Sequence, residues 1–279
     1  MQGERPADEK SPRRQRRNVD GAPEPLWRRR GDGARMTFAE HLEELRWRII
    51  KSLIAIGVAF VICFIFRESL TQALNEPVMF ALRKAGVEEP KIIAIRPTEG
   101  FITAIRICAV VGTFAVSPFV LYQIWKFVAA GLYPGERKWV YIFGPVSGVL
   151  FIAGCAFSFF LVARWGLVFL AKFSLSLGYE PLFSVSEYVK LLLIFTLTMG
   201  VVFQLPLVML FLTKIGVTTP KGLARTRRYA IVGMFIAGAV LSPPDVFTMI
   251  GLALPMIILY EAGIILCRIA MRRKKAPAG

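Results

Sequence analysis

The sequence has little of the chemistry that enzymes and metal proteins use. Histidine occurs once, at His41, which excludes a histidine cluster around a metal. The four cysteines are about forty positions apart or more and form no CxxC pair, so neither a zinc site nor a redox pair is predicted. The chain also has no GxSxG, HExxH or Walker A motif and no Rossmann glycine pattern. We therefore predict a protein that is not an enzyme and needs no cofactor and no metal.

Carboxylates are also scarce, with 19 Asp and Glu residues against 35 Lys and Arg, a formal net charge of +16. Such an excess can indicate a nucleic-acid partner. Its distribution indicates a membrane instead. Twelve of the cations lie in residues 1–48, ahead of the first long apolar run, and most of the others lie between or after later runs. Positive charge beside the cytoplasmic face of a membrane gives this pattern, and no nucleic acid is predicted as a partner.

What the chain has in abundance is apolar sequence: 55% of its residues are hydrophobic and the mean hydropathy is +0.55. A soluble domain of this length is rarely so apolar. Six apolar runs predict an all-α polytopic membrane protein with six transmembrane helices, at residues 49–66, 101–128, 140–162, 188–212, 229–241 and 246–260. The last two runs are short. Thirteen helical residues cover about 20 Å, so we expect a thinned bilayer around the fifth and sixth helices.

The apolar runs divide the chain into a membrane domain, residues 36–270, between two basic cytoplasmic tails. Residues 1–35 are rich in proline and arginine and have no apolar periodicity, which predicts disorder, and residues 271–279 form the second tail. A capping box beginning at Thr37 predicts the start of the first helix, and another at Ser184–Glu187 that of the fourth. In the long segment 67–100, Pro77 is predicted to begin a short surface helix that ends at Gly86.

The charges beside the six runs predict the orientation of the chain. If the N-terminus is cytoplasmic, 24 Lys and Arg residues flank the membrane on the cytoplasmic side and 7 on the other. The positive-inside rule then places both termini in the cytoplasm of an inner-membrane protein.

A few polar residues are the candidates for a binding site. Glu44 and Glu136 are carboxylates on the otherwise basic cytoplasmic face, where each could hold a guanidinium group. The alternative for each is local pairing, for example of Glu44 with Arg48 at i,i+4. Gln204, near mid-span, is expected either to line a polar recess or to make an interhelical hydrogen bond.

Two further acids lie beside the last run. Glu261 is expected to mark its cytoplasmic end, and Asp245 to cap its helix on the outer side.

Several motifs, in order along residues 36–268, resemble the TatC family of the twin-arginine (Sec-independent) protein translocase. Each is weak alone, and together they are specific. They are Phe38 to Arg48 (FAEHLEELRWR), Pro118 with Leu121-Tyr122-Gln123 and Trp125-Lys126-Phe127, Leu132-Tyr133 with Glu136-Arg137, Phe203-Gln204-Leu205-Pro206, Arg228-Tyr229, Ser242-Pro243-Pro244-Asp245-Val246, and Leu254-Pro255 with Leu259-Tyr260-Glu261.

The resemblance implies a glove-shaped six-helix receptor for the twin-arginine signal peptides of folded precursor proteins. Export would be driven by the proton-motive force together with TatA-like and possibly TatB-like single-span subunits, in a complex holding more than one copy of the chain and in contact with membrane lipids. By this resemblance Glu44 and Glu136 would contact the two arginines. Arg46, Arg48 and Phe127 would shape that site, and Pro77 would belong to an outer cap.

Three positions depart from the family pattern. Gln204 stands where the family often has Glu, Ser242 where it often has Thr, and Met249 where some members have Gln. By the resemblance, Gln204 would lack the ionisable role of the family's Glu, and Ser242 and Met249 would weaken the polar patch that engages the single-span partner subunits.

Two other function classes are alternatives. A secondary transporter of a small solute predicts inverted repeats and ionisable residues at mid-span, and an intramembrane hydrolase predicts a nucleophile with its base. The sequence shows no convincing repeat, and Gln204 is the polar residue deep in a span. The receptor function is therefore the preferred interpretation.

Overall fold

A computed structural model describes residues 38–132, 135, 137–242 and 245–275, and it is almost entirely helical. The described residues form nine α-helices and two short strands, in the order α1 Phe38–Ile65, α2 Arg67–Ala85, β1 Ile92–Ile93, α3 Glu99–Ala130, α4 Arg137–Phe157, α5 Arg164–Ser176, β2 Phe183–Ser184, α6 Val185–Val202, α7 Leu205–Lys214, α8 Pro220–Leu241 and α9 Val246–Lys275. A π-helical segment, Ser158–Ala163, joins α4 to α5. The two strands pair in parallel, Ile92 with Phe183. The predicted tails 1–35 and 276–279, Thr37 and Glu136 lie outside the described residues.

Five helical segments are long and apolar enough to cross a membrane: Ala39–Ile65, Glu99–Ala130, Arg137–Ser176, Val185–Lys214 and Val246–Met271. They contain the first, second, third, fourth and sixth predicted spans. The predicted fifth span is the second half of α8. It is not one of the five, because every 18-residue stretch of α8 includes at least three of the basic residues in its first half. The prediction of a polytopic all-α protein is thus confirmed.

The helices alternate in direction through the bundle. His41 near the start of α1 stacks on Phe127 near the end of α3. Thr213 at the end of α7 donates a hydrogen bond to the Cys267 sulfur near the end of α9, at 3.4 Å. Arg227 in α8 pairs with Glu261 of α9. The two ends of the described chain therefore lie at the same end of the bundle, here called the terminal end; the opposite end holds α2 and the strands.

One predicted boundary is wrong, and two helices continue beyond the predicted spans. Pro77 does not begin a helix: α2 begins at Arg67, and Pro77 is buried in its interior. The polar first half of α2 has no apolar run to reveal it, although Gly86 does end the helix, in the left-handed conformation with φ 100°. The helix that contains the predicted third span, 140–162, continues through the π-helical segment to Ser176. The helix that contains the predicted sixth span, 246–260, continues to Lys275. Glu261 has its own ion pair and does not interrupt α9, which includes the residues 271–275 expected in the tail.

Tight helix contacts require glycine at specific crossings. A Cβ at Gly154 of α4 would lie 2.6 Å from the carbonyl oxygen of Met199 in α6, and one at Gly112 of α3 would lie 3.1 Å from the backbone nitrogen of Phe60 in α1. Side chains at these positions would push the backbones apart. The glycines thus fix how closely α1, α3, α4 and α6 pack.

Glu99, a buried carboxylate that is 6% exposed, ties three segments together at the end of the bundle that holds the strands. Its Oε2 accepts hydrogen bonds from the amides of Ile95 (2.6 Å) and Arg96 (3.2 Å). Its Oε1 accepts from the Ser184 hydroxyl and from the Ser186 amide (2.7 Å). Glu99 therefore caps α6 from a different helix. The predicted capping box is wrong in its bonding, because the hydroxyl of Ser184 donates to Glu99 instead of accepting from its own helix.

We expect Glu99→Gln to lower the free energy of unfolding by about 1–3 kcal/mol. All four partners of Glu99 donate to it, and three of them are backbone amides that cannot accept. The amide nitrogen of glutamine would therefore face at least one backbone N–H and leave it unpaired in a buried site. Thermal unfolding in detergent measures the loss. Glu89→Gln is the matched control, because Glu89 is exposed and pairs only with Lys91, and it should change stability by no more than about 0.5 kcal/mol. Equal stability of the two variants would contradict this role of Glu99.

Candidate functional site

A partly shielded ion pair lies near the start of α1, at the terminal end of the bundle. Glu44 and Arg48 are one helical turn apart, and Oε1 of Glu44 accepts from the Arg48 guanidinium. Their side chains are 24% and 11% exposed. This is the local pairing that the sequence allows. It leaves two buried atoms without a hydrogen-bond partner among the described residues, namely Oε2 of Glu44 and Nε of Arg48. Oε2 of Glu44 can therefore still accept a hydrogen bond, and Nε of Arg48 can still donate one.

His41 and Phe127 form a wall beside this ion pair. Their rings stack with centroids 4.3 Å apart and an interplanar angle of 18°. His41 lies three residues before Glu44 on α1, so both point to the same side of the helix. The Nδ1 atom of His41 is also buried without a partner. Three polar atoms with unused hydrogen-bonding capacity therefore lie within two turns of α1.

A groove of about 410 Å³ continues from the ion pair into the apolar part of the bundle, between α1 and α3. Arg48 and Phe127 both line it, which places these two predicted site residues at one cavity. The other lining residues are Leu45, Ile49, Ser52, Leu53, Ile56, Val120, Gln123 and Ile124. The lining of this groove is mostly apolar and its charged member is Arg48, so the groove suits an apolar ligand segment lying beside the ion pair.

The remaining residues predicted for this site are exposed or undescribed. Arg46 is exposed on α1, two residues from both Glu44 and Arg48 and therefore on a different face of the helix. Glu136 lies outside the described residues, although its neighbour Arg137 begins α4 at the same end of the bundle. The structure therefore joins Glu44, Arg48 and Phe127 in one region, and the pairing of Glu44 with Glu136 stays a prediction.

Gln204 lies at the break between α6 and α7, where the helix is interrupted at Phe203 and Gln204. Its side-chain amide donates to the carbonyl oxygens of Ser147 in α4 (3.1 Å) and Gly200 in its own helix (3.4 Å). Of the two expectations for this residue, the interhelical hydrogen bond is the one observed. Gln204 thus fastens the interrupted helix to α4.

The role of Gln204 as a donor predicts the effect of its replacement. Gln204→Leu removes both hydrogen bonds and should lower the free energy of unfolding by about 1–2 kcal/mol. Gln204→Glu should be tolerated only in its protonated form, because an ionised carboxylate cannot donate to a carbonyl. Stability of the glutamate variant should therefore fall as pH rises through the range where that carboxyl ionises. Thermal unfolding against pH measures it, and a profile parallel to the leucine variant's would contradict the donor role.

Three of the residues predicted for structural or partner-contact roles, Asp245, Ser242 and Met249, lie at the turn of the α8–α9 hairpin. Pro77 and Gln204 lie elsewhere in the fold. Asp245 caps α9 as predicted, accepting from the Thr248 amide at 2.7 Å. Ser242 ends α8, where its amide donates to the Gly238 carbonyl at 2.9 Å. The backbone of Met249 packs against Gly238: a Cβ added at Gly238 would lie 3.1 Å from the Met249 carbonyl oxygen. These contacts hold the turn of the hairpin together.

Glu261 fastens the other end of the hairpin. Its two oxygens accept from Arg227 of α8, at 2.7 Å and 2.8 Å. The Tyr260 hydroxyl adds a bond to the Leu223 carbonyl at 2.9 Å. A bidentate Arg–Glu pair of this kind holds the basic first half of α8 against α9.

Sequence reasoning missed three structural contacts. Arg164 pairs with Glu76 and lies over the Phe80 ring at 4.6 Å, joining α5 to α2 beside buried Pro77. The others are the stack of His41 on Phe127 and the cap of Glu99 on α6. An acid directly before an apolar run, as at Glu99, is a signal that could have been noticed. The other two join residues 86 or more positions apart and have no local signature.

The described fold defines a multi-pass helical membrane protein with a polar site at one end of its bundle. A sequence model described as "Sec-independent protein translocase protein (TatC)" matches residues 40–255. The chain belongs to the TatC family.

Relatives and solved structures agree with this assignment. The TatC of Aquifex aeolicus (strain VF5) is 37% identical over 248 residues, covering 86% of this chain and 98% of that one. The TatC of Carboxydothermus hydrogenoformans is 37% identical, covering 84% and 93%, and the TatCy of Bacillus subtilis (strain 168) 32%, covering 85% and 91%. A crystal structure of a twin-arginine translocase receptor, TatC, is 36% identical with a TM-score of 0.74, covering 83% of this chain and 100% of that one.

Proposed function

We propose that this chain is the receptor subunit of a twin-arginine translocase and binds the arginine pair in the signal peptides of folded precursor proteins. The observation that carries the proposal is the buried Oε2 of Glu44, which has no hydrogen-bond partner within the described ranges. A desolvated carboxylate oxygen without a donor is costly, and an incoming guanidinium supplies the missing donor. Family membership supports the same function.

The surrounding charges would make the site selective. Arg46 and Arg48 repel a generic cationic peptide, so binding requires a guanidinium placed to reach the free oxygen of Glu44. Phe127, held by its stack on His41, offers an aromatic face on which a second guanidinium could lie. Glu136 is proposed as the second carboxylate, supplied by the loop between α3 and α4. Arginine fits such a site better than lysine because its planar fork can bond two acceptors.

The finer parts of the function are also proposals. The single-span partners, TatA-like and possibly TatB-like, are proposed to bind along the α8–α9 hairpin, where Ser242 and Met249 lie. Gln204 and Glu261 would act indirectly, by holding α6–α7 and α8 in place. Transport would be driven by the proton-motive force, within a complex that contains more than one copy of the chain. The protein's part would be recognition rather than catalysis.

We further propose that the membrane is the cytoplasmic membrane, that α8 also crosses it as the fifth of six spans, and that both ends of the chain face the cytoplasm. The common position of Phe38 and Lys275 at the terminal end of the bundle supports an even number of crossings. Cysteine labelling in a variant without native cysteines tests this. A cysteine at position 275 should react with an impermeant reagent only after the membrane is opened, and one at Lys91 should react from outside. The reverse pattern would reject the orientation.

Crosslinking of a precursor to the purified protein tests the receptor function. A photoreactive residue beside the arginine pair of a signal peptide should crosslink to this chain in detergent. Crosslinking should fall sharply when both arginines are replaced by lysine, which keeps the charge but loses the fork. Equal crosslinking of the two signals, or none with either, would argue against the function.

A further inference from the structure

Two lysines at the terminal end of the bundle share one aromatic ring and have no acidic partner in the part of the chain that the structure describes. Lys138 lies in the first turn of α4, and Lys214 is the last residue of α7. Their Nζ atoms lie 5.7 Å and 4.5 Å from the centroid of the Trp139 ring. Across the described ranges, the ion pairs involve other cations. Two positive charges are therefore held close together, and no carboxylate among the described residues pairs with them.

Both lysines lie where apolar spans end. One candidate membrane segment begins at Arg137 and another ends at Lys214. The contact of both lysines with one ring brings these two ends together, so they share a single membrane boundary. This is the depth at which lipid phosphates lie and at which tryptophan is enriched.

The ring between the lysines is held by a packed aromatic cluster. Trp139 stacks on Phe143 with centroids 6.1 Å apart, and Phe143 contacts both Trp125 (5.7 Å) and Phe211 (6.0 Å). Trp125 and Phe211 are buried. The platform under the lysines is thus fixed by α3, α4 and α7. An aromatic face attracts an ammonium group but accepts no strong hydrogen bond, so the N–H donors remain available.

We infer that this edge is a binding site for the headgroup of an anionic phospholipid. The two ammonium groups contact the phosphate, and Trp139 lies at the level of the glycerol backbone. Apolar residues one turn further along α4 are exposed where the acyl chains would run, with Tyr141 73% and Ile142 54% accessible. An acidic protein segment would match the charge alone, whereas a lipid matches the charge and the exposed apolar surface beside it.

Native mass spectrometry of the full-length protein tests the site. The protein, released from detergent, is titrated with phosphatidylglycerol and with phosphatidylcholine of identical acyl chains. The parent should bind one phosphatidylglycerol much more tightly than phosphatidylcholine. The double variant Lys138→Gln, Lys214→Gln should bind the first phosphatidylglycerol about 25-fold more weakly. Each lysine at a membrane surface contributes a factor of about five, and the two factors multiply. Lys84→Gln with Lys91→Gln removes the same charge at the opposite end of the bundle and should leave the step unchanged.

Three results would overturn the inference. The parent could bind the two lipids equally, or both double variants could lose the same affinity for phosphatidylglycerol. Excess inorganic phosphate could also displace the lipid, which would identify a site for the free anion. Thermal unfolding in phosphatidylcholine, where the lysines have no anionic ligand, separates misfolding from lost binding. The variant should unfold at the parent's temperature there and lose only the stabilisation that phosphatidylglycerol gives the parent. A variant with the parent's phosphatidylglycerol-dependent stabilisation would also refute the site.

Discussion

Gly154→Ala is expected to destabilise the protein by about 3 kcal/mol, or to prevent it from accumulating in the membrane. The added Cβ would lie 2.6 Å from the Met199 carbonyl oxygen and 2.8 Å from Cγ of Phe203. The nearest obstacle is backbone and cannot rotate away, so α4 and α6 must separate. Overpacking of this kind typically costs 1–3 kcal/mol, and a backbone contact places this site at the upper end. Thermal unfolding in detergent measures the loss of stability, and the yield of folded protein from the membrane is the second measurement.

The same substitution elsewhere provides the control. Gly57 lies on an exposed face of α1, and a Cβ there would have no atom within 4 Å. Gly57→Ala should leave stability unchanged or raise it by up to about 1 kcal/mol, because alanine is the better helix former. If Gly154→Ala were as stable as Gly57→Ala, the close crossing of α4 and α6 would be refuted.

Local patterns predicted most of the helices and few of their ends. Apolar runs reveal a span wherever a lipid-facing segment must satisfy its own backbone hydrogen bonds, which is why the core of each predicted span is helical. Apolar runs do not predict helical segments that extend beyond the membrane. The polar first half of α2 and the continuation of α5 are stabilised by packing against each other, through contacts such as Glu76 with Arg164. That stabilisation depends on residues 88 positions apart.

The candidate site was only partly predictable for the same reason. The spacing of Glu44 and Arg48 predicts their ion pair, because residues four apart on a helix are neighbours. It does not show that one oxygen of the pair stays buried and unpartnered. That depends on α3, which brings Phe127 against His41 and shields the pair from water. The fold, not the motif, decides that Glu44 keeps an acceptor free.

We expect Glu44→Ala to weaken binding of a twin-arginine signal peptide tenfold to a hundredfold. A hydrogen bond to a charged group is worth about 1.5–3 kcal/mol, and each 1.4 kcal/mol is a factor of ten in the dissociation constant. Loss of the carboxylate also releases Arg48, which then repels the incoming guanidinium. Glu136→Ala should have an effect of similar size if Glu136 is the second carboxylate. The measurement is the affinity of a labelled signal peptide for the purified protein.

Glu43→Ala is the matched control. Glu43 is exposed and lies next to Glu44 in the sequence, so this variant loses the same charge from a side chain outside the site. It should change affinity less than twofold, since an exposed charge interacts weakly with a ligand it does not contact. A twin-lysine peptide completes the design: it should bind the parent more weakly than the arginine peptide, and the difference between the two peptides should shrink in Glu44→Ala, because the fork has lost its acceptor. If Glu44 serves only to pair with Arg48, both peptides will bind Glu44→Ala as they bind the parent, and the receptor role of this carboxylate is wrong.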